Sequence, residues 1–198
     1  GCQSLTSLDV SHFNTANVTM MAYMFNGCQS LTSLDVSHFN TANVTMMAYM
    51  FNGCQSLTSL DVSHFNTANV DMMSYMFGFC SALTSLDLSN FNTAKVTDFR
   101  LMFNKCSALT TIYCNDDWYR LKSSQGMFAD CTNLKGAVAY DATKVDVSMA
   151  NPTTGYFTIR LRGKIGKGGY ATFAVGDVQG TMSGNVEIFT ATRNDGKV

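Results

Sequence analysis

The sequence predicts an α/β solenoid, a leucine-rich-repeat-like right-handed superhelix with one strand and one short helix per 26-residue coil, ending in a C-terminal β tail. Three observations predict it. Residues 27–52 copy residues 1–26 letter for letter (GCQSLTSLDVSHFNTANVTMMAYMFN), and 53–78 differ from them at Asp71, Ser74 and Gly78. Within each copy the apolar periodicity changes from alternation to helical spacing. One copy alone buries too few side chains to offset the cost of ordering it, so copies must stack.

The strand comes first. Leu8 and Val10 alternate with Ser7, Asp9 and Ser11, which reads as a half-buried strand over 7–11. Val18, Met21, Met24, Phe25 and Cys28 then recur at helical spacing, so 18–26 reads as a helix with one apolar stripe. Asn17 can cap its start and Gly27 can end it. Five strand residues cover about 16 Å, and ten helical residues cover about 15 Å on the way back. Each copy therefore closes one coil.

The copies run 1–26, 27–52, 53–78, 79–104 and 105–130, with a degraded one over 131–150. Cysteines at 2, 28, 54, 80, 106 and 131 keep the frame, with one slip from 26 to 25. The texture changes over 151–198, where Tyr156–Leu161, Tyr170–Val175 and Val186–Thr192 alternate apolar and polar residues between glycines. That stretch reads as a β-rich cap or small β module covering one end of the stack. Gly1 lies inside a repeated pattern, which points to a fragment or processed product with further coils or another cap upstream.

Composition narrows the function. The net charge is -1 and charged residues are 14%, against about 25% in an ordinary domain. A nucleic-acid or anionic-membrane binder needs a basic excess, so no nucleic-acid partner is expected. The longest uncharged apolar run, Met20 to Phe25, is far short of the roughly 20 residues of a membrane span, so no direct membrane insertion is expected.

The stretch Leu5-x-x-Leu8-x-Val10 resembles the strand of a leucine-rich repeat. The frame from Cys2 to Phe25, filled again at 28–51 and 54–77 and largely at 80–103, resembles the 26-residue repeats of BspA-like bacterial surface proteins, a DUF285-like family. The run Ala150 to Phe157 is similar to the usual exit from such arrays. The resemblance implies a cell-surface or secreted location and adhesion to host or neighbouring-cell proteins or glycans.

Alternation puts a polar row outward: Ser7, Asp9 and Ser11, then Ser33, Asp35 and Ser37, then Ser59, Asp61 and Ser63, then Ser85, Asp87 and Ser89. Two readings stand side by side: a recognition strip for a basic or amide-rich partner, and a solvated face that keeps the stack soluble. Charges stacked about 5 Å apart repel, so serine hydroxyls, cations or a raised pKa must relieve them. The first 78 residues hold no Lys or Arg, which leaves this half acidic.

The other columns read as structural. The six repeat cysteines point inward as small hydrophobes, while Cys114, outside the frame, is expected to be partly exposed. No C-x-x-C pair suggests zinc, and no metal or cofactor is expected. His12, His38 and His64 sit at a turn position taken by Asn90 in the next copy. Asn14, Asn40, Asn66 and Asn92 serve turns, and Phe13, Phe39, Phe65 and Phe91 form a core spine. Of each pair such as Met20-Met21, one member is exposed. Arg160, Arg162, Lys164 and Lys167 form the one concentration of positive charge. No catalytic constellation emerges, so the expectation is a non-enzymatic recognition array, with a structural spacer as the alternative.

Overall fold

The computed structural model describes residues 1–118 and 123–160, together with the backbone of strands at 164–165, 170–175, 178–183 and 189–193. The chain divides into two units, Gly1–Thr158 and Ile159–Val198.

In the first unit successive copies lie on one another in register. Parallel bridges join Met20 to Met46, Met46 to Met72, Met72 to Asp98 and Asp98 to Ser123. The stacking follows the letters, but the elements differ from expectation.

The helix over 18–26 does not form. Among the described residues the helical structure is one 3-10 turn, Val147–Met149, where the Asp146 carboxylate caps the Ser148 N–H. An α/β solenoid with a helix in each coil is therefore not the fold. Left-handed backbone explains why. Tyr23, Tyr49, Tyr75, Leu101 and Gly126 have φ between 55° and 64°, and the equivalents of Gly27 four residues further on repeat this. An α-helix cannot pass through such residues.

The hydrogen bonds show what replaces it. The N–H groups of Met21, Tyr23, Phe25 and Gly27 cross to the carbonyls of Met46, Ala48, Met50 and Asn52, at 2.7–3.0 Å. Those of Met24, Asn26 and Cys28 turn back to the carbonyls of Met21, Tyr23 and Phe25. Alternate residues thus serve the neighbouring copy and a chain of tight turns. A nine-residue helix is marginal alone, because nucleation is costly. Stacking identical copies satisfies the same donors and buries the same apolar stripe.

The strand at 7–11 is absent from the first three copies. Strand pairing occurs in β1 (Ser85–Asp87), β2 (Thr111–Tyr113) and β3 (Phe157–Thr158), a parallel sheet in that order. Register accounts for this. It sets Asp87 against Tyr113, whereas in the first copies it would set carboxylate against carboxylate, which destabilises a ladder. Thr111-Ile112-Tyr113 also has the β-branched and aromatic content that strands favour.

The core is a stack of rings. Phe25, Phe51, Phe77, Phe103 and Phe128 lie face to face, with centroids 5.4–5.8 Å apart. Phe39, Phe65 and Phe91 are buried beside them, but Phe13 is exposed and leaves the expected spine at its first member. Trp118 fills the place after Phe91, stacked on it and on Phe99, with Phe157 against its edge. Met21 is buried where Met20 is exposed, as expected of the pairs.

The second unit holds an antiparallel sheet of β4 (Lys164–Ile165), β5 (Tyr170–Val175), β6 (Val178–Ser183) and β7 (Phe189–Arg193). The expected strand at 170–175 is there, and Val178–Ser183 is one the alternation did not reveal. The Tyr156–Leu161 strand shortens to Phe157–Thr158 and pairs with β2. Leu161, Arg162, Lys167 and Val186 lie outside the described residues. No helix among the described residues is long and apolar enough to cross a membrane.

Candidate functional site

The polar row is on the surface. Ser7, Asp9, Ser11, Ser33, Asp35, Ser37, Ser59, Asp61 and Ser85 are exposed, while Ser63, Asp87 and Ser89 are half-buried. In the first three copies their backbone makes no strand pairing, and only Ser85 and Asp87 lie in a paired strand, β1. Asp9 Oδ1 accepts the Ser11 N–H at 2.9 Å, and Asp35, Asp61 and Asp87 accept from Ser37, Ser63 and Ser89 at 2.9–3.0 Å. Each carboxylate therefore has one oxygen committed to a turn.

These bonds also settle the charge. Hydrogen bonds from the Ser11 backbone and hydroxyl hold Asp9 below the ordinary carboxylate value, and the Ser37 hydroxyl and backbone do so for Asp35. Serine hydrogen bonding is thus one of the ways in which the stacked charges are relieved at Asp9 and Asp35. Asp9 and Asp35 therefore stay ionised at neutral pH. Ser33, Leu34, Asp35, Ser59, Leu60 and Asp61 line a shallow groove of about 330 Å³ between two copies. A larger cleft of about 420 Å³ lies at the end of the row, where Asn90, Asn92, Asp116 and Asp117 meet Ser89.

The remaining candidates resolve into structure. Cys54, Cys80, Cys106 and Cys131 are buried, and their thiols donate to the carbonyls of Phe25, Phe51, Phe77 and Phe103 at 2.9–3.3 Å. Burial pushes Cys54 and Cys131 up to about 12. Cys2 is exposed, contrary to the inward column, because no earlier copy lies against it among the described residues. Cys114, expected at the surface, is buried under the turn around Asp116 and Trp118, and burial raises it to about 12. His64 Nε2 donates to the Val36 carbonyl at 2.8 Å. Among the described residues no three His, Cys, Asp or Glu side chains converge as a metal site would need. The Asn column serves turns: Asn14, Asn40, Asn66 and Asn92 each accept the N–H two residues on.

Two columns escaped the sequence reading. Buried Thr15, Thr41 and Thr67 each use one hydroxyl to hold both backbone groups of the next copy's Asn. Thr15 Oγ1 accepts from the Asn40 N–H at 2.7 Å and donates to its carbonyl at 3.1 Å. Tyr23, Tyr49 and Tyr75 stack with centroids 4.7 and 4.5 Å apart. The only sequence signal for either was invariance between copies.

The stacked frame is where the family becomes visible. The family model for DUF285, described as Mycoplasma protein of unknown function, matches residues 1–62 and 34–142. The chain belongs to the DUF285 family. The match spans the copies that carry the polar row and stops before the exit around Tyr156. No curated protein and no solved structure gave a match to this DUF285 chain.

Proposed function

We propose that this chain is a non-enzymatic, BspA-like recognition module, displayed at a bacterial cell surface or secreted, that binds host or neighbouring-cell surface proteins or glycans. The observation that carries the proposal is the row of Asp9, Asp35 and Asp61, exposed and held in fixed orientation by Ser11, Ser37 and Ser63. Preorganised carboxylates at a constant repeat favour a partner that is itself extended and basic or amide-rich. Each contact is weak, and repetition adds them. With no Lys or Arg before residue 79, no lysine or arginine of the first three copies competes for the row.

The test is binding of the chain to immobilised matrix proteins and glycans at low and high salt. Reversing Asp35 and Asp61 to Lys should weaken attachment and flatten its salt dependence. Unchanged binding by the reversed variant sinks the reading. The near-identity of the first copies supports a second reading, a spacer presenting another domain, since a spacer needs length more than detail. Deleting residues 27–52 separates the two: a recognition array loses affinity, and a spacer keeps it.

A further inference from the structure

The fifth copy meets the fourth differently from the earlier pairs. Thr15, Thr41 and Thr67 each hold the backbone of the next copy's Asn, and the last of these bonds reaches Asn92. Thr93 follows in the same column, but at the matching place in the fifth copy the letters have changed. Leu88-Ser89-Asn90-Phe91-Asn92 gives way to Cys114-Asn115-Asp116-Asp117-Trp118. The backbone changes partners there as well, since the N–H groups of Cys114 and Trp118 reach the carbonyls of Thr158 and Ala150 at the exit of the array. The cleft of about 420 Å³ lies where this altered turn borders the fourth.

Its lining carries both kinds of polar group. Asn92 is exposed, and its Oδ1 already accepts the Ala94 N–H at 3.0 Å, so what it has left to offer is the Nδ2 donor. Asp116 is exposed, and among the described residues no hydrogen bond or ion pair is made to its carboxylate. Ser89, Thr93 and Ala94 line the rest, and none of the described lining residues is basic. An anion would meet Asp116 and Asp117 and be repelled. An apolar ligand would strip water from the carboxylates and the amide and return nothing. A cation would find the carboxylates, but the Asn92 N–H groups would turn their positive ends to it. A hydroxyl both donates and accepts. Of two neighbouring hydroxyls, one can give its proton to Asp116 while the other accepts from Asn92, with a C–H face against the Ala94 methyl. The volume sits toward the small end of the range for small-molecule sites, about 300–1,000 Å³, enough for one ring and the waters that bridge it.

We propose that the cleft between Asn92 and Asp116 is a binding site for one neutral sugar ring, oriented by the Asn92 amide as donor and the Asp116 carboxylate as acceptor. The proposal rests on the surface-recognition reading only for the source of the sugar, which is then the end unit of a glycan on the partner.

The experiment is NMR titration of the whole chain, labelled with nitrogen-15. The methyl glycosides of glucose, galactose, mannose and N-acetylglucosamine are added one at a time, and Nα-acetyl-lysine amide serves as the cationic probe. At least one glycoside should shift the Asn92 side-chain amide and the Ala94 N–H while the amides of Ser11 and Ser37 stay in place. Asn92→Asp keeps the oxygen that accepts the Ala94 N–H and removes the donor, and Asp116→Asn keeps the shape and removes the charge. Each should weaken that glycoside about tenfold, the scale of one lost hydrogen bond, read at the Ala94 N–H. Shifts from the lysine probe alone, or from no probe, overturn the proposal. So does a glycoside that both variants bind as tightly as the parent. Failure of the surface-recognition reading looks different: a chain with Asp35 and Asp61 reversed that keeps its attachment sinks that reading and leaves the Ala94 shifts unchanged.

Discussion

A Cβ on Gly78 would lie 2.7 Å from Asn52 Oδ1, and it is here that a ladder of side-chain amides breaks. Asn52 Nδ2 donates to Asn26 Oδ1 at 2.8 Å, one copy back. One copy forward, where the frame would place a third asparagine, Gly78 leaves Asn52 Oδ1 buried without a partner. Gly78→Asn should extend the ladder, since the crowded atom is the end of a side chain that can shift. The expected gain over Gly78→Ala is about 0.5–1.5 kcal/mol, the worth of one net hydrogen bond, read by urea denaturation. Equal stability of the two variants would show that the orphaned oxygen costs nothing.

Thr41 holds both backbone groups of Asn66 through one hydroxyl, at 2.7 and 3.1 Å. Thr41→Val keeps the shape and removes both bonds, leaving a backbone donor and acceptor without their partner. The expected loss is about 1–3 kcal/mol in denaturant unfolding, and Thr41→Ser should recover most of it. A valine variant as stable as the parent would mean that water replaces the hydroxyl at no cost.

The thiol column makes the fold sensitive to alkali. Burial raises Cys54, Cys114 and Cys131 from 9.0 to about 12, and it raises Cys80 and Cys106 as well. The unfolded chain ionises these thiols first, so their contribution is intact below pH 9 and falls as pH rises toward 12. Melting temperature should drop over that interval, and less so when Cys54 and Cys131 are replaced by alanine relative to each variant's own value at pH 7. A flat profile between pH 9 and 11 would contradict the burial.

At the acid end the relevant group is Asp98. Burial works to raise its pKa, but Arg100 outweighs this through Nε at 3.0 Å, Nη2 at 2.7 Å and its own N–H, and the net value is lowered. A lowered carboxylate contributes stability above its unfolded value of 3.8 and loses it as pH falls through the folded value. Arg100→Ala should therefore move the acid midpoint of unfolding upward. An unmoved midpoint would mean that the pair is worth no more than an exposed one.

The columns were legible in the sequence because equal letters at equal spacing need only stacking to meet. Met20 finds Met46, Phe25 finds Phe51, and Asp9 stands outward with Asp35 and Asp61. The local elements were not legible. Val18, Met21, Phe25 and Cys28 have helical spacing, but a succession of three-residue turns places the same residues on one side. Nothing in the letters of Tyr23 announces a positive φ, since a tyrosine accepts it only where a neighbouring copy pairs on either side of the turn. Most of the candidate row is exposed, with Ser63, Asp87 and Ser89 half-buried, and its anchoring by Ser11 and Ser37 rests on local turns that the alternation of letters does not announce.

The central claim is that each copy is held by its neighbour through alternate backbone hydrogen bonds in place of a helix. Scalar coupling across hydrogen bonds, measured by NMR on chain labelled with carbon-13 and nitrogen-15, tests it at single residues. The claim requires coupling from the Tyr49 amide nitrogen to the Ser74 carbonyl carbon, whose oxygen is 2.9 Å away. Coupling from that nitrogen to the Thr45 carbonyl, four residues back, would restore the helix and contradict the account.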